Sequence, residues 1–559
     1  MRRLLAVARG DEPADLVLRG ARVLSVFTRE WLDGDVAVVD GAVAGIGTYD
    51  GDRVLDLSGR YLVPGFIDAH VHIESSKLMV DEFARLVLPF GTTAIVADPH
   101  EIANVLGTDG VHWLLDACDG LQLDVYFMAP SCVPASIFES PRRALTTGDL
   151  EGLLRRSRVL GVAEMMNFPG VVAGDEEELA KARLARHVDG HAPGLAGARL
   201  NAYAAAGIRS DHEAATVEEG RERLRAGMWL LIREASAARN LAALIPLARE
   251  YGPSRIAFCT DDREPEHIAA DGHINSLVRD AVALGVPPED ALVMATLSPA
   301  SYHGLRRLGA IAPGYRADLL VLPDLESFLP ELVLKAGRTL EDVPPVPVPD
   351  WVRNTVRIRP LGPGAFAIPW EEGRRARVIG LVPGQLVTES LVDQPTVRDG
   401  CAVADPARDL AKIAVLERHH ATGRTGLGFV RGFGLEHGAF AGTVAHDAHN
   451  LVVVGADDSA METAVARLVE LGGGLVAVDG GGVIAELPLP VAGLLSDRPL
   501  AEVLSASDAL NEAMVSLGVR FPHPFQVLAF LALSVIPSLK ITDLGLVDVD
   551  RFALVPLAV

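Results

Sequence analysis

Cysteine is scarce in this 559-residue chain: Cys118, Cys132, Cys259 and Cys401 lie far apart, with no Cys-x-x-Cys pair. That scatter excludes a zinc module built on paired cysteines, the Pro-Cys-x-x-Cys type included, and fits a reducing compartment. Positive charge is also short, with 51 Lys and Arg against 74 Asp and Glu and a formal net charge of −23. No basic stripe is present, which argues against a nucleic acid partner and makes small-molecule chemistry the better expectation. Long apolar runs are missing as well. The run Leu4 to Ala8 stops at Arg9, short of the ~7–15 residues of a secretory core. Phe525 to Ile536, between Pro524 and Pro537, falls well below the ~20 residues that cross a bilayer. It reads as a buried core element, no membrane partner is expected, and the protein is expected in the cytoplasm.

What the chain does have is apolar content, at 49%, enough to bury real cores in two to four domains. Three textures divide it. Residues 15–60 read as short strands with turns, Asp40-Gly41 being a hairpin signal. Their partner is a turn-then-strand segment far downstream, Gly309 to Leu322, so residues 1–61 plus 309–345 are expected to form one small composite β domain. Residues 62–308 have the ~250-residue length of a (β/α)8 TIM-like barrel. After the Pro-rich linker Pro344 to Pro349, residues 350–559 are expected to form an additional C-terminal α+β domain. The fold class is α/β.

Eight strands can be counted in the barrel segment. The first runs into Asp68-Ala-His70-Val-His72, and the rest are read at Thr92–Asp98, Asp124–Ser131, Val159–Met166, His187–His191, Ile208–Glu213, Met228–Glu234 and Arg255–Asp262. Residues i and i+2 of a strand point to one face, so His70 and His72 project together. Each strand tip carries a polar or ionisable residue: His70 and His72, Asp98 and His100, Ser131, Glu164, His191, His212, Arg233 and Asp261. Catalytic groups of such barrels come from that rim. Four histidines and two carboxylates among them suit a two-metal hydrolase. Imidazole and carboxylate are ligands for Mn, Fe(II) or Zn, two ions ~3.5–4 Å apart need an anionic bridge, and Glu164 on the fourth strand is the natural one.

The chain resembles the bacterial-type adenine deaminases of the amidohydrolase superfamily from its first strands to about Val547. The matching runs are Pro64-Gly-Phe-Ile-Asp-Ala-His-Val-His-Ile-Glu-Ser-Ser, Ala97-Asp-Pro-His-Glu-Ile-Ala-Asn-Val, Ala129-Pro-Ser-Cys-Val-Pro-Ala, Ala163-Glu-Met-Met-Asn-Phe-Pro-Gly-Val, Asp189-Gly-His-Ala-Pro-Gly-Leu, Ser210-Asp-His-Glu and Cys259-Thr-Asp-Asp. Departures are Ala235, where Gly is usual, and Ser298, where Asn is usual. The resemblance implies His70, His72, Glu164 and Asp261 around one metal, and Glu164, His191 and His212 around the other. His187 competes with His191 for the fifth-strand position.

The implied reaction is hydrolytic deamination of adenine to hypoxanthine and ammonia by a metal-bridged hydroxide. Two divalent ions per chain are expected, Mn2+ or Fe2+ first and Zn2+ next, with Glu164 and Asp261 catalytic and Asp261 moving the proton. Candidates to read the purine edge are His100, Glu101, Ser131 and Arg233. For Arg233 the competing reading is an ion pair with Glu234 or another rim carboxylate. A homo-oligomer, a dimer, is expected. Competing functions are a sugar-amide deacetylase of the same superfamily, disfavoured by the few basic residues near the rim, and a non-catalytic scaffold, disfavoured by the complete ligand set.

The C-terminal region holds a second polar constellation, Glu417-Arg-His419-His420 and Val444-Ala-His446-Asp447-Ala-His449-Asn450. In one reading His446, Asp447 and His449 close over the barrel mouth and touch substrate or an extra metal. In the other they are an internal hydrogen-bonded cluster of a β-rich domain.

Overall fold

A computed structural model describes all 559 residues. Eight parallel strands lie in residues 66–259: β1 (Phe66–Val71), β2 (Thr92–Ala97), β3 (Asp124–Ala129), β4 (Val159–Met165), β5 (Val188–Gly190), β6 (Ser210–Asp211), β7 (Trp229–Arg233) and β8 (Ile256–Cys259). β1 and β2 are buried along their whole length, as expected of parallel strands covered on both faces, and β2 reads Thr-Thr-Ala-Ile-Val-Ala without polar alternation. One sheet has the order β5-β4-β3-β2-β1 and the other β6-β7-β8. Arg209 N donates to Val188 O at 3.0 Å across one seam, and Asp261 N to His70 O at 3.0 Å across the other. The result is a TIM-like barrel.

All eight strands stand where the sequence reading counted them, but most end one to three residues earlier. Asp98, His100, Ser131, His191, His212 and Asp261 therefore follow their strands. Ladder pairing stops where the rim residues turn inward toward a shared centre. Asp68 fastens that rim: its carboxylate accepts from His70 N at 3.2 Å, Thr260 N at 3.1 Å and Thr260 Oγ1 at 2.5 Å, tying β1 to the end of β8.

Beside the barrel, strands from both ends of residues 14–339 pair. Leu319–Leu322 runs antiparallel to Tyr61–Pro64, with Leu320 opposite Val63, and this six-stranded sheet also takes in Arg22–Ser25 and Leu332–Lys335. Asp40 and Gly41 make the hairpin turn with φ of 50° and 75°, the left-handed pair that a two-residue loop needs.

The C-terminal region is built on an eight-stranded sheet, its strands lying between Ala376 and Pro488. Helix Asp458–Leu471 covers one face, capped by Asp457 accepting from Ala460 N and ended by Gly472 in the left-handed conformation. Its residues Met461, Val465 and Leu468 pack with Leu416, Val453 and Val476. The other face joins the barrel: Ile102 and Val105 share one continuous core with Val444, Leu475 and Phe525. The apolar run 525–536 is buried, as expected. It forms helix Pro524–Phe530 and a following turn. No helix is long and apolar enough to cross a membrane.

Candidate active site

The rim converges on six buried side chains, each 5% exposed or less: His70, His72, Glu164, His191, His212 and Asp261. His70 Nε2 and His72 Nε2 lie 3.1 Å apart, and each is 3.2 Å from Asp261 Oδ1. Glu164 Oε1 is 3.4 Å from His72 Nε2, while Oε2 is 2.7 Å from His191 Nδ1 and 3.3 Å from His212 Nε2. One carboxylate thus faces two donor groups, one with each oxygen. His187, the competitor, turns away and meets His303 Nδ1 at 3.0 Å.

The donor set fits divalent cations. The ring nitrogens of His70 and His72 lie 3.1 Å apart and those of His191 and His212 3.3 Å apart, close enough for each pair to share one ion. Glu164 Oε2, which faces His191 and His212, is buried without a hydrogen-bond partner, an expensive state for a polar atom. His72 Nδ1 donates to the Asp98 carbonyl at 3.0 Å, which leaves Nε2 with the lone pair a cation needs.

Burial opposes ionisation of Glu164, yet His191 and His212 hold it well below the usual carboxylate range. Burial likewise opposes ionisation of Asp261, and His70, His72 and Arg233 overcome it. Both carboxylates are therefore anionic at neutral pH. Arg233 Nη1 donates to Asp261 Oδ2 at 3.0 Å and the guanidinium is bidentate on Glu213, with Nη2 to Oε2 at 3.0 Å. The rim-carboxylate reading of Arg233 holds, but the partner is not Glu234, which pairs with Arg239.

A small cavity of about 20 Å3 opens on the donors; His100, Arg233, His446 and Asp447 line it, together with Glu213 and Asp262. Its remaining wall is apolar, with Met166 from the barrel and Leu386, Phe530, Leu533 and Ile536 from the C-terminal region. His446 stacks on Phe530 with ring centroids 4.4 Å apart. Lys540 fixes this wall, its fully buried ammonium donating to the carbonyls of Leu386 at 2.8 Å and Phe530 at 3.1 Å. A larger cavity of about 440 Å3 lies outside and shares Glu213, Arg233, Leu386 and Ile536 with the inner one.

Three sequence candidates stand apart from this cavity. Ser131 Oγ donates to the Glu164 carbonyl at 2.7 Å, Glu101 sits behind His446 with Oε1 3.4 Å from its Nδ1, and His449 Nδ1 accepts from Ala445 N at 3.1 Å. Glu417 accepts backbone donors from His419, His420 and Thr422, and His419 bonds the Ala448 carbonyl. The C-terminal constellation thus divides: His446 and Asp447 reach the barrel mouth, while Glu417 and His419 brace the turn that carries them. Sequence reasoning missed Glu213 and Asp262, although each directly follows a picked donor. It also missed the apolar wall, which carried no polar signal.

A parallel barrel whose rim gathers these donors defines the amidohydrolase class, and residues 61–340 match the amidohydrolase family. Residues 385–553 match the adenine deaminase C-terminal domain. Adenine deaminase 2 of Carboxydothermus hydrogenoformans is 49% identical over 99% of both chains, and adenine deaminase of Methylobacterium nodulans is 49% identical over the same shares. That of Desulfatibacillum aliphaticivorans is 47% identical, again over 99% of each. The chain belongs to the adenine deaminase family.

Proposed function

We propose that the chain hydrolyses adenine to hypoxanthine and ammonia in the cavity between the barrel rim and the C-terminal region. The observation that carries this reading is the Glu164 carboxylate, facing His70 and His72 with one oxygen and His191 and His212 with the other. His70, His72, Glu164 and Asp261 would hold one divalent ion, and Glu164, His191 and His212 a second. Mn2+ or Fe2+ is the first expectation and Zn2+ the next. The bound ions would supply the Lewis acidity that makes water a nucleophile at neutral pH.

The remaining chemistry belongs to side chains. Asp261 is anionic and keeps its orientation through Arg233, so its carboxylate takes the proton of the attacking water and returns it to the leaving amine. His100, His446 and Asp447 offer donors and acceptors to the purine edge from the wall facing the rim. Leu386, Phe530, Leu533 and Ile536 keep water from the site, and a cap of this kind is expected to admit the free base and reject its nucleoside. Glu101, Ser131 and His449 support these groups from behind. In this reading residues 62–308 are a (β/α)8 barrel, residues 1–61 plus 309–345 the composite β domain, and residues 350–559 the domain that closes the site.

The test is purified, Mn2+-loaded protein offered adenine, adenosine, cytosine and N-acetylglucosamine 6-phosphate, with ammonia and acetate release followed. Ammonia from adenine alone is expected. Acetate release, or no turnover of adenine, would reject the proposal.

A further inference from the structure

Cys132 has no part in the chemistry above, yet it lies against the substrate wall. It follows β3 in Ala129-Pro-Ser-Cys132 and packs with Met166, Phe530, Leu533 and Ile536. On its polar side it meets His100, which opens the helix His100–Leu106 after β2, and Asp447, from the C-terminal region. Ligand-capable atoms of these three residues lie within 4.8 Å of one another. Each residue is at most 5% exposed.

The hydrogen bonding leaves this trio unfinished. His100 Nδ1 donates to Asp98 Oδ2 at 3.1 Å, so in the neutral ring it is Nε2 that carries the lone pair, and Nε2 points at Asp447 Oδ1, 3.6 Å away. That separation is too long for a hydrogen bond and suits two ligands of one ion. Asp447 Oδ2 is buried with no partner at all. A carboxylate behind an imidazole is also the usual support of a metal-binding histidine.

We propose that His100, Cys132 and Asp447 form a third cation site, selective for a thiophilic divalent ion such as Zn2+ or Cd2+, whose occupation inhibits the enzyme. The sulfur sets the selectivity, because thiolate favours Zn2+ and Cd2+ over Mn2+ or Mg2+. On binding, the S–H bond breaks, its proton and any proton on His100 Nε2 pass to solvent, and sulfur–cation and nitrogen–cation bonds form with no change of oxidation state. The site shares no donor atom with the rim set, although the His100 and His72 ring centroids are only 4.6 Å apart. Inhibition rests on the deaminase reading, since the ion would take His100 and Asp447 away from the purine. Binding itself does not.

Cd2+ titration of the Mn2+-loaded protein separates the two. The parent should show the ultraviolet charge-transfer band of a cadmium–thiolate bond and bind one more ion per chain than Cys132→Ser, which should lack the band. In activity assays the serine variant should keep its adenine turnover and need at least ~10-fold more Zn2+ for half inhibition, since even an outer-shell partner of a ligand is worth ~10–100-fold in metal affinity. Cys132→Ala replaces it if the serine protein does not fold. An absent band in the parent, or an equal band in both proteins, overturns the site. A band without any adenine turnover in the Mn2+ form keeps the site and rejects the deaminase reading.

Discussion

Replacing Lys540 with methionine should change how stability depends on pH. The ammonium is fully buried, is held only by the Leu386 and Phe530 carbonyls, and takes part in no ion pair. Burial pushes its pKa from 10.5 down to about 7. Between those values the unfolded chain binds a proton that the folded chain does not, so this group makes stability rise with pH by ~1.4 kcal/mol per pH unit. Below about pH 7 both states are protonated and the burial penalty is present in full. From pH 7.5 to 9 the parent should therefore gain about 2 kcal/mol relative to Lys540→Met, while every other titrating group cancels in the difference. Urea midpoints of both proteins at the two pH values provide the assay, with slopes checked for equality. A parent-minus-variant difference that stays flat across the interval would refute the claim that the ammonium is buried without a counter-charge. The variant also frees two carbonyls of the cavity wall, so a raised KM for adenine with unchanged metal content should accompany it.

Glu164→Gln should lose at least one of the two ions by metal analysis, and full occupancy with normal turnover would end the bridging role. Asp261→Asn should reduce turnover by ~10²–10⁴ while the fold survives; a loss of only a few-fold in steady-state kinetics would remove Asp261 from proton transfer. His446→Ala should weaken adenine deamination with the rim metals still bound, as read by kinetics and metal content together. Parental kinetics in that variant, with adenosine still rejected, would make the C-terminal cluster purely structural.

The strands and donors were legible because each leaves a local signature. His70 and His72 two apart at a strand end, Glu164 within a buried strand and Asp261 at the last tip need only the two-residue period and the chain order of a barrel. The apolar wall is a different matter. Leu386, Phe530, Leu533 and Ile536 look like any core residues in sequence, and only long-range packing turns them toward the rim. Lys540 was silent for a related reason: its partners are carbonyls, which no side-chain pattern marks. Asp447 meets His100 across more than three hundred residues, so the sequence left its cluster divided between two roles.

The two cavities carry a kinetic consequence. The inner one has room for about 20 Å3 and the outer one for about 440 Å3, and Leu386 and Ile536 stand between them beside the Glu213–Arg233 pair. A planar base the size of a purine waits comfortably in the outer chamber, but it reaches the donors only when that partition yields. Admission and departure then use the same doorway. If the proposed deamination uses this doorway, hypoxanthine must clear it before the next adenine enters, and the frequency with which Leu386 and Ile536 step aside would set a ceiling on turnover that no change at the rim could raise.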